Sequence, residues 1–96
     1  MIEYLLNAIR MTAGEENAVF ARISEDTDPI STGCSFALHA PDGSMLAAVP
    51  GEYLEEDNVW QFTIPAELTK GLSGRYWYCF QHEGQSLCFQ EPLYLV

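Results

Sequence analysis

The chain has 96 residues, of which 14 are Asp or Glu and only 4 are Lys or Arg, so its formal net charge is −10. A surface with so few cations repels nucleic-acid phosphates and anionic lipid headgroups, so we expect neither nucleic acid nor a membrane as a partner. Apolar residues make up 48% of the chain, which is enough for one packed core and predicts a single domain over residues 1–96.

Short runs of β-branched and aromatic residues, separated by Gly, Pro, Asn and Asp, predict strands along most of the chain. The predicted strands are residues 4–11, 18–23, 34–40, 45–49, 59–64, 75–81, 86–90 and 93–96. The first segment also fits helical spacing in part, so a short helix is an alternative there. The spacing of about seven short strands, with one helical turn after Pro65, favours an all-β fold. We expect an antiparallel two-sheet β-sandwich of the immunoglobulin-like type.

The middle of the chain predicts a hairpin. Alternation in residues 34–40 directs Phe36 and Leu38 to the core and His39 to solvent. Residues 41–43 are Pro-Asp-Gly, in which Pro presets φ, the Asp side chain caps the turn and Gly accepts a positive φ. The strand at 45–49 is therefore expected to return beside the strand at 34–40.

The cysteines Cys34, Cys79 and Cys88 are odd in number and form no close pair. An odd count in predicted strands favours free, buried thiols and a reducing compartment. A bridge between Cys34 and Cys79, like the inter-sheet disulfide of immunoglobulin domains, is the alternative. The N-terminal residues lack a basic segment ahead of their apolar residues, so we expect no signal peptide and synthesis in the cytoplasm.

No motif of catalysis or phosphate binding occurs, so we expect neither an enzyme nor a cofactor. His39 and His82 are the two histidines, and both are predicted to be ordinary surface residues. The spacing of Cys79, His82 and Cys88 is loosely that of a zinc site, which is a weaker alternative. The acidic runs at residues 25–28 and 55–57 could hold calcium, but solvated loops are the simpler interpretation, and we expect no metal site.

One predicted strand is aromatic on both faces, because Tyr76, Tyr78 and Phe80 alternate with Trp77. Only one face of a strand can fill the core of a two-layer sandwich. Trp77 is therefore expected either to pack under the N-terminal segment or a loop, or to form an exposed patch that docks another subunit. We take Trp77 and Tyr94 as the candidate protein-binding residues.

Five stretches between residues 10 and 96 carry a resemblance to a known group of proteins. They are TAGEE at 12–16, CSFAL at 34–38, PDGSML at 41–46, WQFTIP at 60–65 and LSGRYWY at 72–78. The chain resembles the small β-sandwich proteins encoded in tailed-phage and prophage structural gene clusters, including domains similar to the N-terminal domain of baseplate upper proteins. The resemblance implies a non-enzymatic virion or assembly component that acts by oligomerisation, and it assigns no functional residues.

The combined expectation is a phage-derived structural or assembly protein that works through protein–protein contacts, with a homo-oligomer as one form of partner. Free edge strands at the N-terminus and at residues 93–96 are expected to pair between subunits. Two alternatives are an inhibitor or regulator whose acidic face mimics DNA to bind a basic protein, and an extracellular adhesive or carbohydrate-binding module. The first predicts binding that weakens with salt, and the second needs an exposed aromatic platform.

Overall fold

The computed structural model describes residues 2–5, 8–25, 28–87 and 90–96. These residues form strands and one short helix, so the predicted all-β class is confirmed. The elements are β1 (Ile2–Leu5), β2 (Ala8–Met11), β3 (Asn17–Ala21), β4 (Ser24–Glu25), β5 (Asp28–Pro29), β6 (Cys34–His39), β7 (Met45–Pro50), β8 (Glu52–Leu54), β9 (Val59–Ile64), α1 (Ala66–Thr69), β10 (Gly74–His82), β11 (Gln85–Ser86) and β12 (Glu91–Leu95).

The strands form two packed sheets, which confirms a sandwich-like architecture. The larger sheet has the strand order β1-β2-β12-β10-β6-β7, with β11 pairing to β10 as well. The smaller sheet has the order β3-β9-β8, and β4 and β5 form a separate two-stranded ladder. The pairings are antiparallel except that β12 runs parallel to β2. A fully antiparallel sandwich, as expected from the sequence, is therefore wrong at this one pairing.

The core lies between the two sheets and is rich in aromatic rings. The buried cluster consists of Ile9, Met11, Val19, Cys34, Phe36, Leu38, Trp60, Phe62, Ile64, Tyr78, Leu93 and Leu95. Phe36 stacks on Tyr78 with ring centroids 5.4 Å apart, and Phe62 of the opposite sheet stacks on Trp60 at 6.0 Å. Burial of each large side chain contributes about 1.5–3 kcal/mol to the stability of the folded chain, so this cluster accounts for much of that stability.

The strand predicted at residues 59–64 is β9, in which buried and more exposed residues alternate. Trp60, Phe62 and Ile64 are buried on one face, while Thr63, between Phe62 and Ile64, is exposed. Residues 50–58, which lie between the strands predicted at 45–49 and 59–64, include the additional strand β8. That strand completes the small sheet because its half-buried Tyr53 packs its ring 5.5 Å from Trp60.

The N-terminal segment differs from both interpretations made from the sequence. It forms neither one strand over 4–11 nor a helix, but two strands paired as a hairpin, with Leu5 opposite Ala8 and Ile2 opposite Met11. Ile9 and Met11 are buried in the core. Residues 6–7, between the two strands, lie outside the described residues. The partial helical spacing arose because β1 and β2 each contribute apolar residues from a separate strand.

Residues 93–96 were expected to form a free sheet edge after Pro92, and this prediction is wrong. Strand β12 lies inside the larger sheet, between β2 and β10. Val96, just after β12, donates its N–H to Met11 O (3.1 Å) on the β2 side. Successive backbone nitrogens of a strand point to opposite neighbours, so the nitrogen of Pro92, four residues earlier, also faces β2. The paired register with β2 begins at Leu93, so the missing N–H of Pro92 removes no bond from either described ladder.

The predicted hairpin at residues 41–43 is confirmed. Gly43 has φ +92° and Ser44 donates both its backbone N–H (2.9 Å) and its hydroxyl (2.7 Å) to Oδ1 of Asp42. Both hydrogen bonds from Ser44 lower the pKa of the Asp42 carboxyl, and the one from the backbone N–H has the larger effect. Strands β6 and β7 then pair with Phe36 opposite Val49. The helical turn expected after Pro65 is α1.

Candidate protein-binding face

The side of the larger sheet that faces away from the core carries two rows of side chains across four strands. In one row, Leu5 lies opposite Ala8 and Pro92 lies opposite Trp77. One step along the register from Leu93 and Ile9 brings Pro92 beside Ala8, which makes the row continuous. Each of these residues is half-buried or exposed, and none is charged, so the row is an apolar strip on the surface of a highly charged chain.

The second row runs beside the first and is polar. Glu3 lies opposite Arg10, Arg10 is beside Tyr94, and Tyr94 lies opposite Arg75. We call the two rows together the Trp77 face. Its residues are Leu5, Ala8, Pro92 and Trp77 in the apolar row and Glu3, Arg10, Tyr94 and Arg75 in the polar row.

Trp77 is held in a fixed position on this face. Its indole Nε1–H donates to the carbonyl oxygen of Pro41 (3.2 Å), and the guanidinium carbon of Arg75 lies 4.4 Å from the centre of its ring. An exposed cation–π contact of this type is worth about 0.5–1 kcal/mol. A held aromatic ring loses little conformational entropy when a partner covers it, which suits a binding anchor.

The two arginines of the face differ in their charge balance. Arg10 forms a 2.6 Å ion pair with Glu3, and both side chains are nearly half exposed. Arg75 forms no ion pair with the residues that the structure describes, and its charge lies over the ring of Trp77. The face therefore offers one uncompensated guanidinium beside an apolar strip, in a chain whose net charge is −10.

The structure brings the two residues chosen from the sequence together. Trp77 and Tyr94 lie on neighbouring strands and on the same face, because Trp77 is opposite Pro92 and Tyr94 is opposite Arg75. Both are half-buried. The sequence did not indicate Arg75, Arg10 or the apolar row, because these positions become neighbours only through pairing of strands that are far apart in the chain.

The same side of the sheet carries a buried polar cluster next to Trp77. His39 lies opposite Trp77 in the register, yet its exposed fraction is only 7%, so the prediction that it points into solvent is wrong. Its Nε2 lies 3.4 Å from Sγ of the fully buried Cys79, and its Nδ1 lies 3.0 Å from Gly43 O. The Gln90 amide nitrogen approaches both that carbonyl (3.2 Å) and Nδ1 (3.3 Å).

These contacts indicate which tautomer the imidazole ring of His39 adopts. Gly43 O can only accept, so we assign the ring proton to Nδ1, which donates to it, and Nε2 then accepts from the thiol of Cys79. The Cys79 sulfur also lies 3.7 Å from the hydroxyl oxygen of Ser86. The cluster thereby joins the β6–β7 turn, β10 and the residues on either side of 88–89, and it explains why a histidine on the outer face is buried.

The described ligands of the zinc alternative contact other residues. Nε2 of His82 lies 3.8 Å from Oε1 of Glu83, and Cys79 contacts His39; Cys88 lies outside the described residues. Asp26 of the first acidic run lies outside them as well. Within the described residues, no three His, Cys, Asp or Glu side chains converge in a way that could hold a metal ion. No disulfide joins Cys34 to Cys79, because Cys34 packs in the core while Cys79 lies beside His39 on the other side of the sheet, so that alternative is contradicted.

The second acidic run forms an exposed turn on the smaller sheet. Residues 55–57 join β8 to β9, and Glu52 on β8 adds a fourth carboxylate nearby. The Tyr53 hydroxyl donates to Oδ1 of Asn58 (2.8 Å) across the turn, and Asn58 adopts the left-handed region with φ +52°. Residues 53–57 line a shallow depression that opens to solvent.

Comparisons with known proteins give no relative from which to transfer a function. No family model matches the chain, no curated protein matches it in sequence, and no solved structure matches it in fold. Among the described residues, no helix has the length and apolar character needed to cross a bilayer.

Proposed function

We propose that this chain is a non-enzymatic binding protein that acts through protein–protein contacts at the Trp77 face. The single observation that carries the proposal is the uncharged row of Leu5, Ala8, Pro92 and Trp77, which crosses four strands next to Arg75, a residue with no ion pair among the described residues. Held aromatic rings and arginines are the side chains that most often dominate the binding energy of interfaces. A surface enriched in them supports a docking role.

The proposed biological setting is the structure or assembly of a tailed-phage or prophage particle, made in the cytoplasm and present there or in a virion. The resemblance of the stretches at 12–16, 34–38, 41–46, 60–65 and 72–78 to small sandwich proteins of phage structural gene clusters motivates this setting. A compact domain with an unused sheet edge at β7 and another at β1 suits repeated assembly.

We further propose that the sandwich is of the immunoglobulin-like type. The order β2-β12-β10-β6-β7 against β3-β9-β8 supports this, because variable-type immunoglobulin domains also pack a smaller sheet against a larger one. The entry to β10 also supports it, since Gly74 takes φ +98° and the half-buried Tyr76 packs against the core two residues later. Such a fold carries many unrelated functions and assigns none by itself.

The non-enzymatic part of the proposal has its own support. His39 and Cys79 are the described pair most like a base and a nucleophile, but Cys79 is fully buried and the nitrogens of His39 are occupied by Gly43 and Cys79. A reactive thiol needs access to its substrate, and this one is covered. A structural role for the pair therefore supports a binding protein more than a catalyst.

A second candidate function is an acidic inhibitor that mimics DNA, and the exposed turn at 55–57 with Glu52 favours it. Four carboxylates held on one short hairpin present closely spaced negative charge, as a nucleic-acid backbone does. This candidate predicts a basic partner whose affinity falls steeply between low and physiological salt, and it predicts that Glu55→Lys with Glu56→Lys removes binding.

The experiment that tests the first proposal is mass spectrometry of particles from the chemically induced source organism, purified on a density gradient. A photo-crosslinking amino acid at Tyr94, with the same group at the exposed Thr63 of the opposite sheet as control, identifies the contacted protein. The proposal is supported if the chain is present in the particles in stoichiometric amounts and if position 94 forms crosslinks to another protein. Abundant particles without the chain would contradict the phage setting, and crosslinks only from position 63 would contradict the Trp77 face.

A further inference from the structure

We infer that the Trp77 face receives the acidic turn, residues 54–57, of a second copy of this chain. The inference rests on the proposed protein-binding function of the face and names its partner. It follows from where the few cations lie, from the shape of the acidic turn and from the placement of the two surfaces on different sheets.

The cations of the chain are concentrated on the face. The chain has 4 Lys and Arg in total, namely Arg10, Arg22, Lys70 and Arg75. Two of them, Arg10 and Arg75, flank Tyr94 in the polar row. Glu3 balances Arg10, so Arg75 is the cation left for a partner carboxylate, which a guanidinium can bind through two parallel hydrogen bonds.

The acidic turn has the chemistry that complements this arrangement. Its carboxylates, Glu55, Glu56 and Asp57, are exposed, while Leu54 at its base is half-buried and apolar. The backbone of the turn is fixed by hydrogen bonds from Asp57 N–H to Leu54 O (3.2 Å) and from Asn58 N–H to Glu55 O (3.4 Å). A preformed turn loses little entropy on docking, so its carboxylates can meet Arg75 while Leu54 covers the apolar row.

The placement of the two surfaces decides the kind of assembly. The Trp77 face is the outer side of the larger sheet, whereas the turn joins β8 and β9 of the smaller sheet. One copy therefore uses different surfaces to bind its two neighbours, which is a head-to-tail contact. Contacts of this type form rings or open chains rather than stopping at a dimer.

The test is sedimentation of the purified full chain over a range of protein concentrations at low ionic strength. We expect the average mass to rise above the 10.8 kDa of one chain as concentration increases. Arg75→Glu should weaken self-association by about tenfold or more, because it replaces the attraction between Arg75 and the carboxylates of the acidic turn with repulsion. Arg22→Glu and Lys70→Glu are the matched controls, since each makes the same change in net charge at an exposed site away from the face.

A charge exchange between copies makes the test specific. Glu55→Lys with Glu56→Lys should also prevent self-association, and mixing this variant with Arg75→Glu should restore it, since a basic turn then meets an acidic face. A single 10.8 kDa species at every concentration would overturn the inference, as would equal losses in Arg75→Glu and Lys70→Glu. A monomeric wild type that still crosslinks another protein from position 94 would overturn the self-docking alone and leave the proposed function intact.

Discussion

The thiol of Cys79 lies 3.4 Å from Nε2 of His39, on the side of the larger sheet that faces away from the shared core. The two residues are on paired strands, and both are buried although the row beside them is open to solvent. Gly43 O completes the set of contacts by accepting from Nδ1–H of His39 and from the Gln90 amide. The molecule thus has a small second region of buried contacts, built from hydrogen bonds, in addition to its aromatic core.

We expect His39→Ala to lower the free energy of unfolding by about 1–3 kcal/mol, because Gly43 O and the Cys79 thiol each lose one hydrogen-bond partner. His82→Ala is the control and should change stability by no more than about 0.5 kcal/mol, since the His82 side chain is partly exposed at the end of β10. Urea denaturation monitored by tryptophan fluorescence measures both. Combining His39→Ala with Cys79→Ala should give less than the sum of the single losses, and strict additivity would contradict a direct coupling.

Gly51 lies where a side chain would enter the core. A Cβ at this position would come within 2.5 Å of Cε1 of Phe62 and 2.7 Å of Cε3 of Trp60. Gly51→Ala should therefore destabilise the protein by about 1–3 kcal/mol through overpacking of the two rings. Ala substitution of the exposed neighbour Glu52 is the comparison. Near-ultraviolet circular dichroism should change for Gly51→Ala only, and equal stabilities of the two variants would show that the ring pair has room to move.

Thr69 joins the helical turn to the loop between β2 and β3. Its buried hydroxyl oxygen accepts the backbone N–H of Gly14 at 2.9 Å. Thr69→Val keeps the shape but leaves that N–H without its acceptor, so we expect a loss of about 1–2 kcal/mol in thermal or chemical unfolding. Thr69→Ser keeps the hydroxyl and should lose less. A valine variant as stable as the serine variant would mean that water replaces the hydroxyl at no cost.

Cys34 predicts an alkaline dependence of stability. Burial raises the pKa of its thiol above the ordinary value of 9.0, so the folded chain keeps the proton when the unfolded chain releases it. The contribution of the protonated Cys34 thiol to the free energy of unfolding is therefore complete below about pH 9. It is lost as pH rises from there through the pKa of Cys34 in the folded state. Unfolding free energies of wild type and Cys34→Ala between pH 8 and 10.5 should converge. Parallel curves would show that Cys34 ionises equally in both states.

The sequence predicted the parts of the fold that depend on local spacing. The alternation around Phe62 placed β9, and the turn chemistry at 41–43 placed the β6–β7 hairpin. It did not predict the burial of His39, because alternation tells which side of a strand a residue faces but not whether another segment covers that side. It also missed the strand β8, whose short and acidic sequence resembles a connection until Tyr53 packs on Trp60.

The candidate face was predictable only in part. An aromatic residue on the outer side of a strand singled out Trp77, and Tyr94 followed as an aromatic residue near a supposed sheet edge. The edge was wrong because the parallel partner β2 lies more than 80 positions earlier in the chain, as Leu93 pairs with Ile9. Arg10 and Arg75 join the face through the same long-range pairing, which no local pattern contains.

The position of β12 has a consequence for how the chain is made. Because β12 lies between β2 and β10, a ribosome must release residues 91–95 before the early hairpin can reach its place beside the rest of the sheet. Until then the nascent chain leaves β10 with an open edge along Arg75, Tyr76 and Trp77, a hydrogen-bonding template for other chains. Folding that waits for contacts so distant in sequence is slow, so synthesis rate and chaperones should affect the yield of this small domain more than its size suggests.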